Sequence, residues 1–241
     1  MITRELNNFS GLDFQSGEVI LIDKPFGWTS FKVVHVIRKI TGVKKIGHAG
    51  TLDPRATGLL ILCTGKKTKE ITKFQDGEKT YTGIITIGKC TPSMDLETEV
   101  IEEKPVDGIT EADILKTRAL FVGDIQQMPP MYSALKVGGQ TLYNLARKGK
   151  TVEIELRTVN VSNFEISKID LPLIYFEISC SKGTYIRVIA NDFGDKLGCG
   201  GVLSSLRRTK SGGLSVDNAL KIEEFEDIFR KNSSKKKPKS F

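Results

Sequence analysis

Gly47-His48-Ala49-Gly50-Thr51-Leu52-Asp53-Pro54-Arg55-Ala56-Thr57-Gly58 sets a single acid between basic flanks, Lys44, Lys45, Arg55, Lys66 and Lys67. Its three glycines allow close backbone approach, and Pro54 holds Asp53 extended, away from the helical region. Nearby positive charge favours the ionised carboxylate. A carboxylate so placed can serve as nucleophile or base on a phosphate-bearing substrate. Asp-Pro also marks ordinary turns, and the residues by themselves leave both readings open. His48 is one of two histidines in the chain. Neither it nor His35 has a partner at metal-ligand spacing, and each reads as a hydrogen-bonded loop or core histidine.

Working outward, residues 19–22 form a short apolar run closed by Asp23-Lys24-Pro25 and Gly27, a strand and turn. Thr29 or Ser30 then offers an N-cap for a helix to about residue 40, with Phe31, Val34 and Ile37 on one face and Thr41-Gly42 as its stop. Residues 59–63 read as a buried strand. Residues 81–89 alternate as Tyr81, Gly83, Ile85, Ile87, a strand with one covered face. A helix is expected within 108–122. Residues 124–152, with Met128-Pro129-Pro130-Met131, Gly138-Gly139 and a short basic helix at 142–148, are too irregular for a sheet core and read as an insertion. Clean alternation resumes with Ile174, Phe176, Ile178 and Cys180. A helix from about Tyr185 then places Ile186, Ile189, Phe193 and Leu197 at helical spacing until Gly198. This mixture argues an α+β fold around a mixed central sheet flanked by helices, not a doubly wound one. No G-x-G-x-x-G or Walker loop supports dinucleotide or nucleotide-triphosphate chemistry.

The 241 residues suffice for one large or two small domains, and 39% apolar with 27% charged residues is ordinary globular composition. No apolar run approaches the roughly 20 residues of a membrane span. The N-terminus has no hydrophobic stretch and is no signal peptide. Cys63, Cys90, Cys180 and Cys199 lie far apart, which suits a reducing cytosol better than a disulfide framework or zinc site. The net charge of +7 is unevenly spread. From Lys32 to Lys73 ten Lys/Arg face two acids, and from Pro92 to Asp113 eight acids face Lys104 alone. The first segment can meet phosphates and the second reads as a solvated acidic face.

The block from Gly47 to Leu60 closely resembles the motif around the catalytic aspartate of the TruB family, the tRNA pseudouridine-55 synthases. Leu21-Ile22-Asp23-Lys24-Pro25-Phe26-Gly27-Trp28-Thr29-Ser30 is similar to that family's opening motif, and Lys79-Thr80-Tyr81 to its Lys-x-Tyr motif. Gln127-Met128-Pro129-Pro130-Met131-Tyr132-Ser133-Ala134-Leu135-Lys136 resembles its thumb segment. Ser181-Lys182-Gly183-Thr184-Tyr185-Ile186-Arg187 and Leu206-Arg207-Arg208 resemble its later motifs. Six motifs in family order make the likeness specific.

The resemblance implies a pseudouridine synthase fold with a thumb-like insertion, and an isomerase acting on the uridine at position 55 of the tRNA T-loop by base flipping. It implies Asp53 as the catalytic carboxylate, Arg187 as the arginine that pairs with it, and Tyr185 as a wall of the base pocket that can relay the C5 proton. Tyr81 becomes the stacking aromatic, Leu206 an apolar lining residue and His48 an RNA contact. Lys24 and Lys136 take phosphate or structural roles. The implied layout is an N-terminal extension at 1–16, a synthase domain at 17–215 with its insertion at about 124–152, and a C-terminal helix and basic tail at 216–241 without the PUA domain of longer members. The expected partner is the T-arm of tRNA, with no cofactor, no metal, no membrane, no obligatory protein partner, a monomeric state and a cytoplasmic location. The rival readings are an RNA-binding or tRNA-folding module whose main role is non-catalytic, and a guide-RNA-dependent synthase that needs protein partners.

Overall fold

An apolar run between turn signals, Ala56–Thr64, pairs antiparallel with Val19–Lys24 in the register Val19↔Cys63 to Lys24↔Gly58. Both faces of this strand pair are covered, which is why its residues do not alternate. Ile20, Ile22, Leu60 and Leu62 pack with Val33, Val34, Ile37 and Phe225, while Val19, Leu21, Leu59 and Ile61 pack with Ala49, Val216 and Ala219. The computed structural model describes residues 1–133, 135–146, 148–150 and 152–234, without the side chains at 136, 137, 233 and 234. Ala134 and the Lys136 side chain of the thumb-like motif, and the expected basic tail from residue 235 onward, lie outside the described residues.

The chain divides into two units, Met1–Lys79 with the chain from Arg207 onward, and Thr80–Leu206. In the first, Ile46–His48 adds to Ala56–Thr64 through Ile46↔Thr64 and His48↔Leu62. The end of Gly201–Ser211 pairs with Leu214–Ser215. The helix Ser30–Thr41 begins where Thr29 accepts from the Lys32 N–H at 3.0 Å and ends at Gly42, whose φ of 67° is open to glycine. Its buried face is Val33, Val34 and Ile37. Phe31, expected on that face, is 70% exposed. At 3.6 residues per turn Val33 lies about 40° around the helix from Ile37 and Phe31 about 120° from it, so the face packed on the strand pair takes Val33 and leaves Phe31 outside. Residues 1–16 pack into this unit: Ile2 is fully buried and bridges Ile20 in parallel, and Phe9 and Phe14 join Phe225 and Phe229 of the helix Ile222–Ser234.

In the second unit Gly123–Gln127, Arg157–Asp170 and Leu173–Cys180 form a consecutive antiparallel sheet, next to Lys79–Ile87. Residues 124–127, expected to be irregular, are therefore a strand, paired from Gly123↔Val161 to Gln127↔Arg157. The alternation in Leu173–Cys180 is as the sequence predicts, with Ile174, Phe176, Ile178 and Cys180 inside. Lys79–Ile87 departs from single-face cover because Thr80 and Thr86 are also buried, Thr80 hydrogen-bonded to Ser179 at 2.9 Å and Thr86 to Ser204 at 2.8 Å. The helix Glu111–Ala119 opens on a capping box between Thr110 and Asp113, and Ile186–Lys196 buries Ile186, Ile189 and Phe193. Phe164 packs against Phe176 and Phe193 beneath them. Parallel bridges such as Ile22↔Leu220 and Asp95↔Leu203 beside these ladders make the architecture mixed and α+β.

Candidate active site

The Asp53 segment is short, because Ile46–His48 and Ala56–Thr64 are strands and only residues 49–55 loop between them. The loop closes on itself where the Ala56 N–H donates to the Asp53 carbonyl at 3.0 Å. Further ties come from outside it. The Ser30 hydroxyl accepts from the Leu52 N–H at 2.9 Å and donates to the Leu52 carbonyl at 3.0 Å, joining the helix start to the residue before Asp53. Gly27 N–H donates to the Pro54 carbonyl at 2.9 Å on the other side. Lys24 is fully buried, and its ammonium donates to the carbonyls of Pro25 at 3.1 Å, Trp28 at 2.5 Å and Pro54 at 3.3 Å.

The dipeptide Arg207-Arg208 completes the frame. Arg208 is 1% exposed and donates to the carbonyls of Leu59 at 2.8 Å and Gly50 at 3.2 Å. Arg207 forks onto both oxygens of Asp23, at 2.9 and 2.8 Å. Gly58 has φ 99°, and a Cβ there would stand 2.3 Å from the Arg208 carbonyl oxygen, so only glycine lets the strand pass. The result is a half-buried aspartate on a backbone that cannot drift.

Electrostatics follow from this burial. Lys24 is pushed down from 10.5 to about 8, chiefly by burial; the Asp53 charge pulls it up and the Arg208 charge pushes it down. His48 is also lowered, by burial first and Arg208 second, with the Gly50 backbone acting the other way. Its Nδ1 is buried with no hydrogen-bond partner among the described residues. A lowered histidine is neutral near pH 7, which suits a contact residue better than a cationic one.

The second unit holds the other sequence-predicted residues. Tyr81 lies on Lys79–Ile87 and is 9% exposed, and Leu206 is half-buried on Gly201–Ser211. Tyr185 caps the helix Ile186–Lys196 without a side-chain hydrogen bond to its amides, which leaves the ring for other work. Its backbone is clamped instead: Gln127 Oε1 accepts from the Tyr185 N–H at 2.7 Å and Gln127 Nε2 donates to the Tyr185 carbonyl at 3.0 Å. Arg187 is 2% exposed, which rules out the surface arginine that the residue alone suggests. Its guanidinium donates to the carbonyls of Ser93, at 3.2 Å, and Tyr132, and its carbon lies 5.7 Å from the Tyr185 ring centre. This unit thus brings Tyr185 and Arg187 together on one helix turn.

Four positioning residues are less legible in the sequence. Ser30 reads there as a cap candidate, but Thr29 caps the helix and Ser30 holds Leu52. Gln127 carries no signal beyond preceding Met128-Pro129-Pro130. Ser93, whose carbonyl receives Arg187, is held by Asp95 Oδ1 at 2.6 Å. Asp95 is 5% exposed, so the acidic segment is not wholly the solvated face it reads as. Among the described residues no three His, Cys, Asp or Glu side chains gather as a metal site.

Comparison with known proteins adds the following. The family model described as "TruB family pseudouridylate synthase (N terminal domain)" matches residues 38–186, and that of the "tRNA pseudouridylate synthase B C-terminal domain" matches residues 187–239. The chain is 49% identical over 222 residues to the tRNA pseudouridine synthase B of Flavobacterium johnsoniae, covering 89% of this chain and 97% of that one. The Chloroherpeton thalassium protein of the same name is 50% identical over 220 residues, covering 89% and 90%. Among solved structures, "Crystal Structure of a Cbf5-Nop10-Gar1 Complex" superposes with a TM-score of 0.71 at 29% identity, covering 92% of this chain and 57% of that one. The chain thus spans little over half the length of that solved relative.

Proposed function

We propose, because the chain belongs to the TruB family of pseudouridylate synthases, that it converts uridine to pseudouridine in tRNA, at position 55 of the T-loop. The observation that carries this reading is near-full-length identity to relatives named tRNA pseudouridine synthase B. The immobilised Asp53 loop supplies what such chemistry needs. Isomerisation breaks the bond from uracil N1 to C1′ and forms one from C5 to C1′; the C5 proton leaves and N1 gains one. Atoms and electrons balance within the nucleotide, so the step needs no redox partner or nucleotide. A stacked base cannot turn over in this way, and the uridine must leave the helix stack first.

In this reading Asp53 acts on the everted nucleotide, and Arg187, always charged and planar, holds that carboxylate in one orientation. Tyr81 offers its ring to the base and Tyr185 relays the C5 proton, passing on its own hydroxyl proton as it takes that one. Leu206 supplies an apolar wall, and neutral His48 contacts the RNA. The synthase domain runs from 17 to 215, with the thumb-like segment at about 124–152 beginning within the Gly123–Gln127 strand. The enzyme works as a cytoplasmic monomer on the T-arm, without a protein partner. Its four cysteines, none of them in a disulfide, suit a reducing compartment. Among the described residues no helix is long and apolar enough to cross a membrane.

The test is to incubate pure protein with an unmodified T-arm transcript and map pseudouridine at single-nucleotide resolution. Conversion of one T-loop uridine without additives is the expected outcome. Conversion that requires a guide RNA and added proteins, or that falls outside the T-loop, contradicts the reading.

A further inference from the structure

Two phenylalanines among the described residues are exposed, Phe26 at 57% and Phe31 at 70%, and both stand beside the Asp53 loop. Phe26 precedes Gly27, whose N–H is bound to Pro54, and Phe31 follows Ser30, which is bound to Leu52. Trp28 lies between them in sequence. Two cations are laid on this aromatic group: Lys32 Nζ is 4.0 Å from the Trp28 ring centre, and the Arg55 guanidinium carbon is 5.2 Å from that of Phe26. Along the solvent side of Ser30–Thr41 the exposed residues continue as Lys32, His35 and Lys39, with no acid among them.

Core packing explains only part of this arrangement: Trp28 is half-buried against the core, whereas Phe26 and Phe31 are left outside it. The helix already fills its inner face with Val33, Val34 and Ile37. Exposed aromatic faces under flat or compact cations suit an unpaired base, because a base can stack on a ring or on a guanidinium plane while its phosphate meets the charge. A protein partner with an apolar patch would be repelled by two ammonium-bearing neighbours; a polyanion is drawn to them.

We propose that Phe26, Trp28 and Phe31, with Lys32 and Arg55, form a stacking platform for one unpaired nucleotide of the RNA other than the uridine that reacts. The platform rests on the functional reading above in taking RNA as the ligand. Because the turns at Gly27 and Ser30 are bonded to the Asp53 loop, a base seated there fixes the register of the strand relative to that carboxylate.

The test uses binding to a T-arm transcript in an Asp53→Asn background, so that turnover does not enter. Phe26→Ala with Phe31→Ala is expected to weaken binding about 10-fold or more, as the loss of base–aromatic stacking does, with an unchanged urea midpoint. Phe31→Trp keeps a π-face and restores affinity, whereas Phe31→Leu keeps apolar bulk and does not. Trp28 is the only tryptophan, so its emission reports directly on the platform and is expected to change as RNA is added. An abasic scan of the unpaired positions finds one whose loss is not additive with Phe31→Ala. Wild-type affinity in the double variant or in Phe31→Leu, or an unchanged Trp28 signal at saturating RNA, overturns the proposal. Failure of the wild-type protein to make pseudouridine while these binding effects persist overturns the functional reading and leaves the platform standing.

Discussion

Lys24→Met tests whether one buried ammonium holds the Asp53 turn. The wild-type side chain satisfies three carbonyls, those of Pro25, Trp28 and Pro54. Methionine fills similar space and donates to none of them. The Pro54 carbonyl keeps the Gly27 N–H, and each of the other two left dry costs about 1–3 kcal/mol. Against this, the variant no longer keeps a cation in a site that lowers its pKa from 10.5 to about 8, a strain of about 3 kcal/mol. The net expectation near pH 7 is a small loss, about 1 kcal/mol and no more than about 3 kcal/mol.

The pH dependence is the sharper part. Below about pH 8 the folded and unfolded chains both hold the Lys24 proton, and its contribution is flat. Between about 8 and 10.5 the folded chain has released the proton while the unfolded chain still binds it. The unfolded state then carries more protons, so wild-type stability rises with pH by about 1.4 kcal/mol per unit. The variant has no such group. Urea unfolding of both proteins at about pH 7 and about pH 9.5 is therefore expected to show a gap that widens by about 2 kcal/mol at the higher pH. Other lysines and tyrosines titrate alike in the two proteins and cancel. A gap that is constant with pH, or a variant as stable as wild type at both, refutes the lysine clamp.

Gly58→Ala forces a side chain onto a backbone with φ 99° and against the Arg208 carbonyl; urea unfolding is expected to show a loss of about 3 kcal/mol or more, and a loss under about 1 kcal/mol contradicts the close approach. Gln127→Ala removes both bonds to the Tyr185 backbone and is expected to cost about 2–4 kcal/mol in the same assay, with Gln127→Glu, which keeps the acceptor, falling between. Equal stability of all three proteins contradicts the clamp on Tyr185.

The legible parts of the fold are those where a local pattern meets a simple environment. Leu173–Cys180 has a single covered face, and its alternation reads directly as a strand. Residues 19–22 and 59–63 read as strands, the second as a buried one, because each is a continuous apolar run. Arg157–Asp170 gives no such signal: only Val159, Val161 and Phe164 are buried, and register shifts interrupt its pairing. Phe31 with Val34 and Ile37, and Val33 with Val34 and Ile37, are alternative apolar stripes of one helix, and tertiary packing decides between them. In the site, Asp53 stands out because its chemistry and its Gly/Pro setting coincide locally. Arg187, Arg208 and Lys24 look like surface cations in sequence; what buries them is a set of carbonyl oxygens scattered up to 158 residues away. Those partners carry no side-chain signature, so no sequence pattern announces them.

The central claim is that the Asp53 carboxylate performs the isomerisation, and the most direct measurement is tritium release from a T-arm transcript carrying tritium at uracil C5. Making the C5–C1′ bond expels that label. Asp53→Asn, nearly isosteric but uncharged, is expected to lower the release rate by about 10²-fold or more while RNA affinity stays within about threefold of wild type. Release at a rate near that of wild type would contradict the account.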